Sequence, residues 1–265
     1  MNLNLIDTHA HLNFPDFKDD LEQVIKRSLK NGVTKIICVS SNLADSAKAI
    51  EIAKKYPGIV YAAVGIHPHQ TDFQEKGSLE EQIKQLEELV KNNKVIAIGE
   101  CGLDFSPTPP MEKDRNKKDQ IFLFQEQLKI AQRLSLPVCL HSRKALDDVL
   151  LILEKIPVRG ILHCYAGGKK DIAKVLALGL YFGLDGNLTY DVGLQNVAKI
   201  IPLEKILLET DSPFLTPQPY RCLRNEPKNV KIIAEFLAQL KGLPLNQLAK
   251  VVTENTYAAF FGKTR

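Results

Sequence analysis

Short apolar runs alternate with amphipathic stretches along the whole chain. The runs lie near 3–7, 34–39, 59–64, 94–99, 137–141, 159–163, 180–185 and 205–209, and their Val, Ile and Leu content predicts eight strands. Between them, Leu21, Val24, Ile25, Ser28 and Leu29 fall at spacings near three and four, as do Leu79, Ile83, Leu86, Leu89 and Val90. That is the period of a helix with one buried face. Eight strand–helix units with uniformly apolar strands predict parallel strands covered on both faces, and the closed arrangement of eight is the (β/α)8 TIM barrel of the α/β class. An open doubly wound sheet is the competing arrangement. Against it, no GxGxxG follows the first strand, and polar residues recur after many strands instead of gathering at one switch point. No internal repeat or low-complexity linker interrupts the alternation, so residues 1–265 are expected to form a single domain, with an extra helix after about 244 and a polar, frayed tail. Two connections, Gly102–Lys118 and Ser212–Pro227, are longer and richer in Gly, Pro and charge, and are expected to wall a substrate site.

The polar residues placed against these strands carry the chemistry. All six histidines, at 9, 11, 67, 69, 141 and 163, stand beside expected strand ends, and none falls on a helical face. A single such histidine is most simply a solvated or locally bonded side chain; six in that position point to a metal site. Barrel strands deliver their C-terminal residues to one mouth, so His9, His11, Glu100, His141, His163 and Asp211 are expected to converge. His9 and His11, two apart on an extended segment, share a side. Glu100 has two oxygens with which to bridge a pair of ions, His141 and His163 complete the second, and Asp211 can ligate and accept a proton from water. Mixed nitrogen and oxygen donors suit Zn, Mn, Fe or Mg. Glu100 and Asp211 are thus the catalytic candidates, and hydrolysis the expected chemistry. No GxSxG nucleophile motif competes.

Composition narrows the setting. An apolar share of 45% with 25% charge is that of an ordinary globular chain, and 35 basic against 31 acidic residues leave only +4, too little to demand a polyanionic partner. The first residues lack a basic and apolar leader pattern and no run is long enough to span a membrane, which predicts a cytoplasmic protein. Five cysteines without a CxxC pair argue against a disulfide framework.

The motifs Ile6-Asp-Thr-His-Ala-His11, Val64-Gly-Ile-His-Pro68, Ile98-Gly-Glu-Cys-Gly-Leu-Asp104, Leu136-Pro-Val-Cys-Leu-His-Ser-Arg143, Leu162-His-Cys-Tyr165, Glu209-Thr-Asp-Ser-Pro213 and Arg224-Asn-Glu-Pro227, in that order, resemble the TatD-like metal-dependent deoxyribonucleases, a branch of the amidohydrolase-like barrels. The resemblance spans almost the whole chain. It implies a TIM barrel, two divalent metal ions, and hydrolysis of phosphodiester bonds in DNA, often from the 3′ end. Carried over by residue, it gives the same six ligands with Glu100 as bridge. Departures at His163-Cys-Tyr-Ala-Gly167, at Pro219-Tyr-Arg-Cys222 and in Ser106–Lys118 fall in loops around the substrate, so they leave the metal chemistry intact and open the choice of substrate.

Around this set, His67 is expected either to hold a phosphate oxygen or to support a ligand, and His69 to face solvent. Asp7 is expected to orient a ligand or satisfy loop backbone, and Asp104 to bond within its own loop. Arg143, Arg221 and Arg224 can clamp phosphate, the alternative being pairing with carboxylates such as Asp147 or Glu226. Phe105, Tyr165 and Tyr220 are the aromatics placed to stack on a base. DNA, or tRNA, is the expected partner of a chain that is a monomer or weak oligomer with no obligate protein partner. An ester or amide hydrolase on the same barrel, such as a D-aminoacyl-tRNA deacylase, is the alternative function. A non-catalytic barrel is disfavoured by the intact ligand set.

Overall fold

The computed structural model describes residues 3–70, 77–108 and 116–262. The middle of the Gly102–Lys118 connection and the polar tail after 262 lie outside the described residues. Eight parallel strands, β1 (Leu5–Ala10), β2 (Val33–Val39), β3 (Val60–Val64), β4 (Val95–Asp104), β5 (Val138–Arg143), β6 (Gly160–Leu162), β7 (Tyr181–Leu184) and β8 (Ile206–Leu208), pair in chain order. This is the expected barrel, one domain with helices outside. Among the described residues no helix is long and apolar enough to cross a membrane.

Side-chain alternation divides the apolar residues into two cores. Leu5, Ile36, Cys38, Ala62, Val138 and Leu140 face outward into the layer under the helices. Ile37, Val39, Ala63, Ala97, Cys139, Ile161 and Leu207 form the second, inner cluster. Ala259 and Phe260, in the turn Tyr257–Phe261 that follows α9 (Leu245–Thr256), belong to that inner cluster, so the C-terminal segment seals one end of the barrel.

Two strands run further than their apolar content indicates. β1 continues through Asp7, Thr8 and His9 because these buried groups are hydrogen-bonded: the Thr8 hydroxyl donates to the Leu208 carbonyl, and Asp7 accepts from the Thr210 amide and hydroxyl. β4 passes Glu100 and ends at Asp104, with a register irregularity between Ile98 and Cys101. Glu100 is consequently held within a strand, not at its end. Past the irregularity Gly102 (φ +150°) pairs with His141, and a Cβ there would overlap the His141 carbonyl oxygen.

The barrel closes between β1 and the segment after β8. The Asp211 amide donates to the His9 carbonyl and the His11 amide to the Ser212 carbonyl, both at 2.8 Å. Beyond this seam, the long Ser212–Pro227 connection is tied to α1 (Leu21–Lys30) by ions: Arg224 grips Asp20 with two 2.8 Å bonds, and Arg27 pairs with both Asp20 and Glu226.

Two outcomes are expected. Gly102→Ala should cost roughly 3 kcal/mol or more, because backbone must move at a position whose conformation L-residues avoid; a melting temperature equal to the parent's would contradict this. The hydrogen bond from Arg224, followed by that from Arg27, outweighs partial burial and lowers the Asp20 pKa from 3.8 to about 2. A folded-state value below the unfolded one contributes stability above about pH 4 that is lost as pH falls towards 2. Asp20→Asn should therefore lower the urea midpoint at pH 7 by the equivalent of ~1 kcal/mol, after allowance for solvent screening. The deficit should shrink by pH 3; a deficit independent of pH would rule the ion pair out as its cause.

Candidate metal centre

Period-two alternation continues from the inner apolar cluster into the mouth. Cys139 is followed inward by His141, Ile161 by His163, and Leu207 by Glu209 and Asp211. Asp7, His9 and His11 line the same side of β1. The six expected ligands do converge, although they span two hundred residues of chain.

Glu100 is at the centre, 4% exposed. Its Oε2 lies 3.6 Å from His9 Nε2 and 3.8 Å from His11 Nε2. Its Oε1 lies 2.6 Å from His141 Nδ1 and 2.8 Å from His163 Nε2. Asp211 Oδ1 joins the first group, 3.6 Å from His9 Nε2 and 3.3 Å from His11 Nε2. Oε2 thus faces His9 and His11, and Oε1 faces His141 and His163, with His67 Nε2 also 3.5 Å from Oε1. Burial pushes the Glu100 carboxyl up, but the imidazoles of His163 and His67 and hydrogen bonds from His141 and His163 outweigh it and hold the group well below the ordinary carboxylate range. Asp211 is also depressed: burial raises it, while the His11 hydrogen bond and the His9 and His163 charges pull it lower.

The tautomers suit metal donors. A carbonyl only accepts, so the 3.0 Å contact from His11 Nδ1 to the Val39 carbonyl puts the proton on Nδ1 and leaves the Nε2 lone pair facing the cluster. His141 turns Nδ1 and His163 turns Nε2 towards Glu100, while their other nitrogens lie 3.5 Å from Asp104 and 3.6 Å from Glu209, beyond hydrogen-bond contact. His9 Nε2 and His11 Nε2 stand 3.2 Å apart, and His163 Nε2 and His141 Nδ1 3.4 Å. Ring nitrogens turned towards one another around two buried carboxylates would, once deprotonated, fit a cation, and the nitrogen and oxygen set fits a divalent one. Groups able to hold an ion include His9, His11 and Glu100, and His9, His163 and Asp211.

His67 behaves differently. Its Nδ1 accepts the His69 amide at 3.2 Å, so Nε2 carries the proton and offers it 3.5 Å from Glu100 Oε1. Burial is the main cause that lowers its pKa to about 4, so the ring is neutral near pH 7. A protonated nitrogen is no ligand, but it can hold an oxygen.

The other expectations divide. Asp7 satisfies the amides of His9 and Thr210. Asp104 does bond within its own turn, to the Ser106 amide, but it also binds His69 Nε2 at 2.6 Å, so His69 is partly buried and paired instead of facing solvent. Arg143 is exposed, on a cleft of about 590 Å³ that His163, Lys144 and Lys170 also line, and it has no ion pair among the described residues; Asp147 is taken by Lys174. Arg221 stacks on Tyr190 at 4.2 Å. Arg224 is occupied on both edges by Asp20 and Glu226, so pairing with carboxylates displaces the phosphate role expected for it. Tyr165 is buried with its edge on Phe182, which removes it as a stacking platform, and Phe105 carries the Lys117 ammonium at 4.4 Å. Tyr220 is 49% exposed. Sequence reasoning missed Phe214, 50% exposed and 6.2 Å from the His11 ring, and gave Glu209 no part; their signal was adjacency to Asp211.

The chain is similar to known proteins along nearly its whole length. A family model described as TatD related DNase matches residues 6–261. The uncharacterized metal-dependent hydrolase YabD of Bacillus subtilis is 36% identical over 262 residues, covering 97% of this chain and 98% of that protein. The deoxyribonuclease TATDN3 of Homo sapiens is 33% identical, over 97% of this chain and 95% of its own. The crystal structure of YjjV, a TatD homologue from Escherichia coli K12, superposes with a TM-score of 0.89 at 32% identity, over 98% of this chain and 99% of that one. Matched from residue 6 to residue 261, and one third identical to relatives along nearly their whole lengths, the chain belongs to the TatD related DNase family.

Proposed function

We propose that this metal-dependent hydrolase is a deoxyribonuclease that holds two divalent ions and removes nucleotides from the 3′ end of DNA. The observation that carries the two-ion reading is the division of Glu100, with Oε2 facing His9 and His11 and Oε1 facing His141 and His163. One ion would be held by His9, His11 and Asp211, the other by His141 and His163, with Glu100 between. The DNA reading rests on the family and on TATDN3. When bound, such a pair supplies Lewis-acid polarisation of a phosphoryl oxygen and a water acidic enough to ionise near neutral pH.

The chain's own groups do the rest. Asp211, ionised and facing His9 and His11, accepts the proton of the attacking water. His67 Nε2–H donates to a non-bridging phosphate oxygen, and being neutral it does so without adding charge beside the ions. Arg143 on the cleft beside His163, and Arg221 held over Tyr190, bind neighbouring phosphates. Phe214 and Tyr220 offer exposed ring faces to unstacked bases at the mouth.

Cleavage of 3′- and 5′-labelled single-stranded DNA with Mg²⁺ or Mn²⁺, and with EDTA, tests this. The expected result is stepwise, metal-dependent loss from the 3′ end that falls by more than roughly 100-fold in His141→Ala, since losing a ligand should exceed the effect of losing its support. Intact DNA would overturn the nuclease reading and turn attention to aminoacyl-tRNA, other esters and amides. Arg143→Ala should raise KM about 10-fold with kcat little changed, as for one charged hydrogen bond to phosphate. A fall in kcat alone would show that Arg143 acts elsewhere.

A further inference from the structure

Glu209 is a buried carboxylate to which the reaction above gives no part. It points inward from the end of β8, 0% exposed. Oε1 accepts the Cys164 amide and lies 3.6 Å from His163 Nδ1, while Oε2 has no hydrogen-bond partner among the described residues. The space it fills is kept open by Gly183 on the neighbouring strand, where a Cβ would come within 2.6 Å of both oxygens. A fully buried carboxylate with a cradle cut for it, and only one oxygen hydrogen-bonded, is more than an acceptor for one amide.

Behind the four ligand imidazoles the charge is lopsided. His163 has Glu209 on its outer nitrogen, and His141 has Asp104 at 3.5 Å. None of these outer nitrogens of His163, His141 and His9 is hydrogen-bonded among the described residues, but only the first two have a carboxylate within 4 Å; His11 has the neutral Val39 carbonyl. In front of the imidazoles the imbalance reverses. His9 and His11 share two carboxylates, Glu100 and Asp211, whereas His141 and His163 share Glu100 alone.

We propose that Glu209, with Asp104, is a positioning residue that supplies through the rings of His163 and His141 the negative charge which their ion lacks among its direct donors. A carboxylate on the far N–H of an imidazole fixes the tautomer and makes the near nitrogen a better donor. One ion would then have two carboxylates, Glu100 and Asp211, among the groups facing it, and the other Glu100 alone, supplemented by two carboxylates one ring away. This rests on the two-ion reading.

Calorimetric titration of metal-stripped protein with Zn²⁺ tests it without recourse to turnover. Glu209→Gln keeps an acceptor for the Cys164 amide and removes only the charge. The parent should bind two ions. Glu209→Gln should weaken one by roughly 10- to 100-fold and leave the other unchanged, and Asp104→Asn should do the same. Combined with Asp211→Asn, Glu209→Gln should weaken both; combined with Asp104→Asn, it should weaken the same single ion further. The metal-free variants should melt near the parent temperature, and Asp104→Asn carries the test if Glu209→Gln does not fold. Two unaltered affinities, or equal weakening of both ions in a folded variant, would overturn the proposal. A parent that binds fewer than two ions would overturn the two-ion reading, and this inference with it.

Discussion

The mouth of this barrel is organised by the need to keep one ionised carboxylate, Glu100, out of water. Removing such a group from solvent costs several kcal/mol unless opposite charge or donors surround it. Here His9, His11, His141, His163 and His67 all turn a ring nitrogen towards it. The remaining polar groups follow from that requirement. Each imaging of charge needs a ring held in one orientation, and the Val39 carbonyl, Asp104 and Glu209 hold three of them from behind.

Site and fold share the same bonds. The seam that closes the barrel runs through the His9 carbonyl and the Asp211 amide, and through the His11 amide and the Ser212 carbonyl. The candidate ligands at the first and last strands are thereby fixed relative to one another by backbone, which moves less than side chains do. Beneath them the inner cluster, from Val39 round to Leu207 and plugged by Phe260, forms an apolar floor of low dielectric that strengthens the electrostatic interactions above it. Close approach is possible at two points only because a side chain is missing: Gly102 lets β4 lie against the His141 carbonyl, and Gly183 leaves room for Glu209. The histidine and carboxylate cluster is thus a product of strand packing, and a shift of β4 or β8 would move it.

The surroundings divide by whether charge is already answered. Arg224 and Arg27 are spent on Asp20 and Glu226, fastening the last long connection to α1. Arg143 on its cleft has no ion pair among the described residues, and the rings of Phe214 and Tyr220 are about half exposed. The near balance of total charge conceals this local arrangement.

Sequence alone determined the barrel and which histidines and carboxylates meet at its mouth, because both depend on short-range periodicity. Apolar runs mark strands buried on two faces, and a polar residue placed against such a run must lie at one end of a parallel barrel, whichever residues come between. It failed where burial and polarity part company. Asp7 and His9 belong to β1 and Glu100 lies within β4, since hydrogen bonds across the barrel let polar residues stay in a buried strand. Only the tertiary structure decided which nitrogen each histidine presents, that His69 pairs with Asp104, that Arg224 is taken by Asp20, and that Glu209 stands behind His163. Those facts depend on contacts between residues up to two hundred positions apart, whose distances are set by strand register and by the absence of a side chain at Gly183, and no local pattern encodes them.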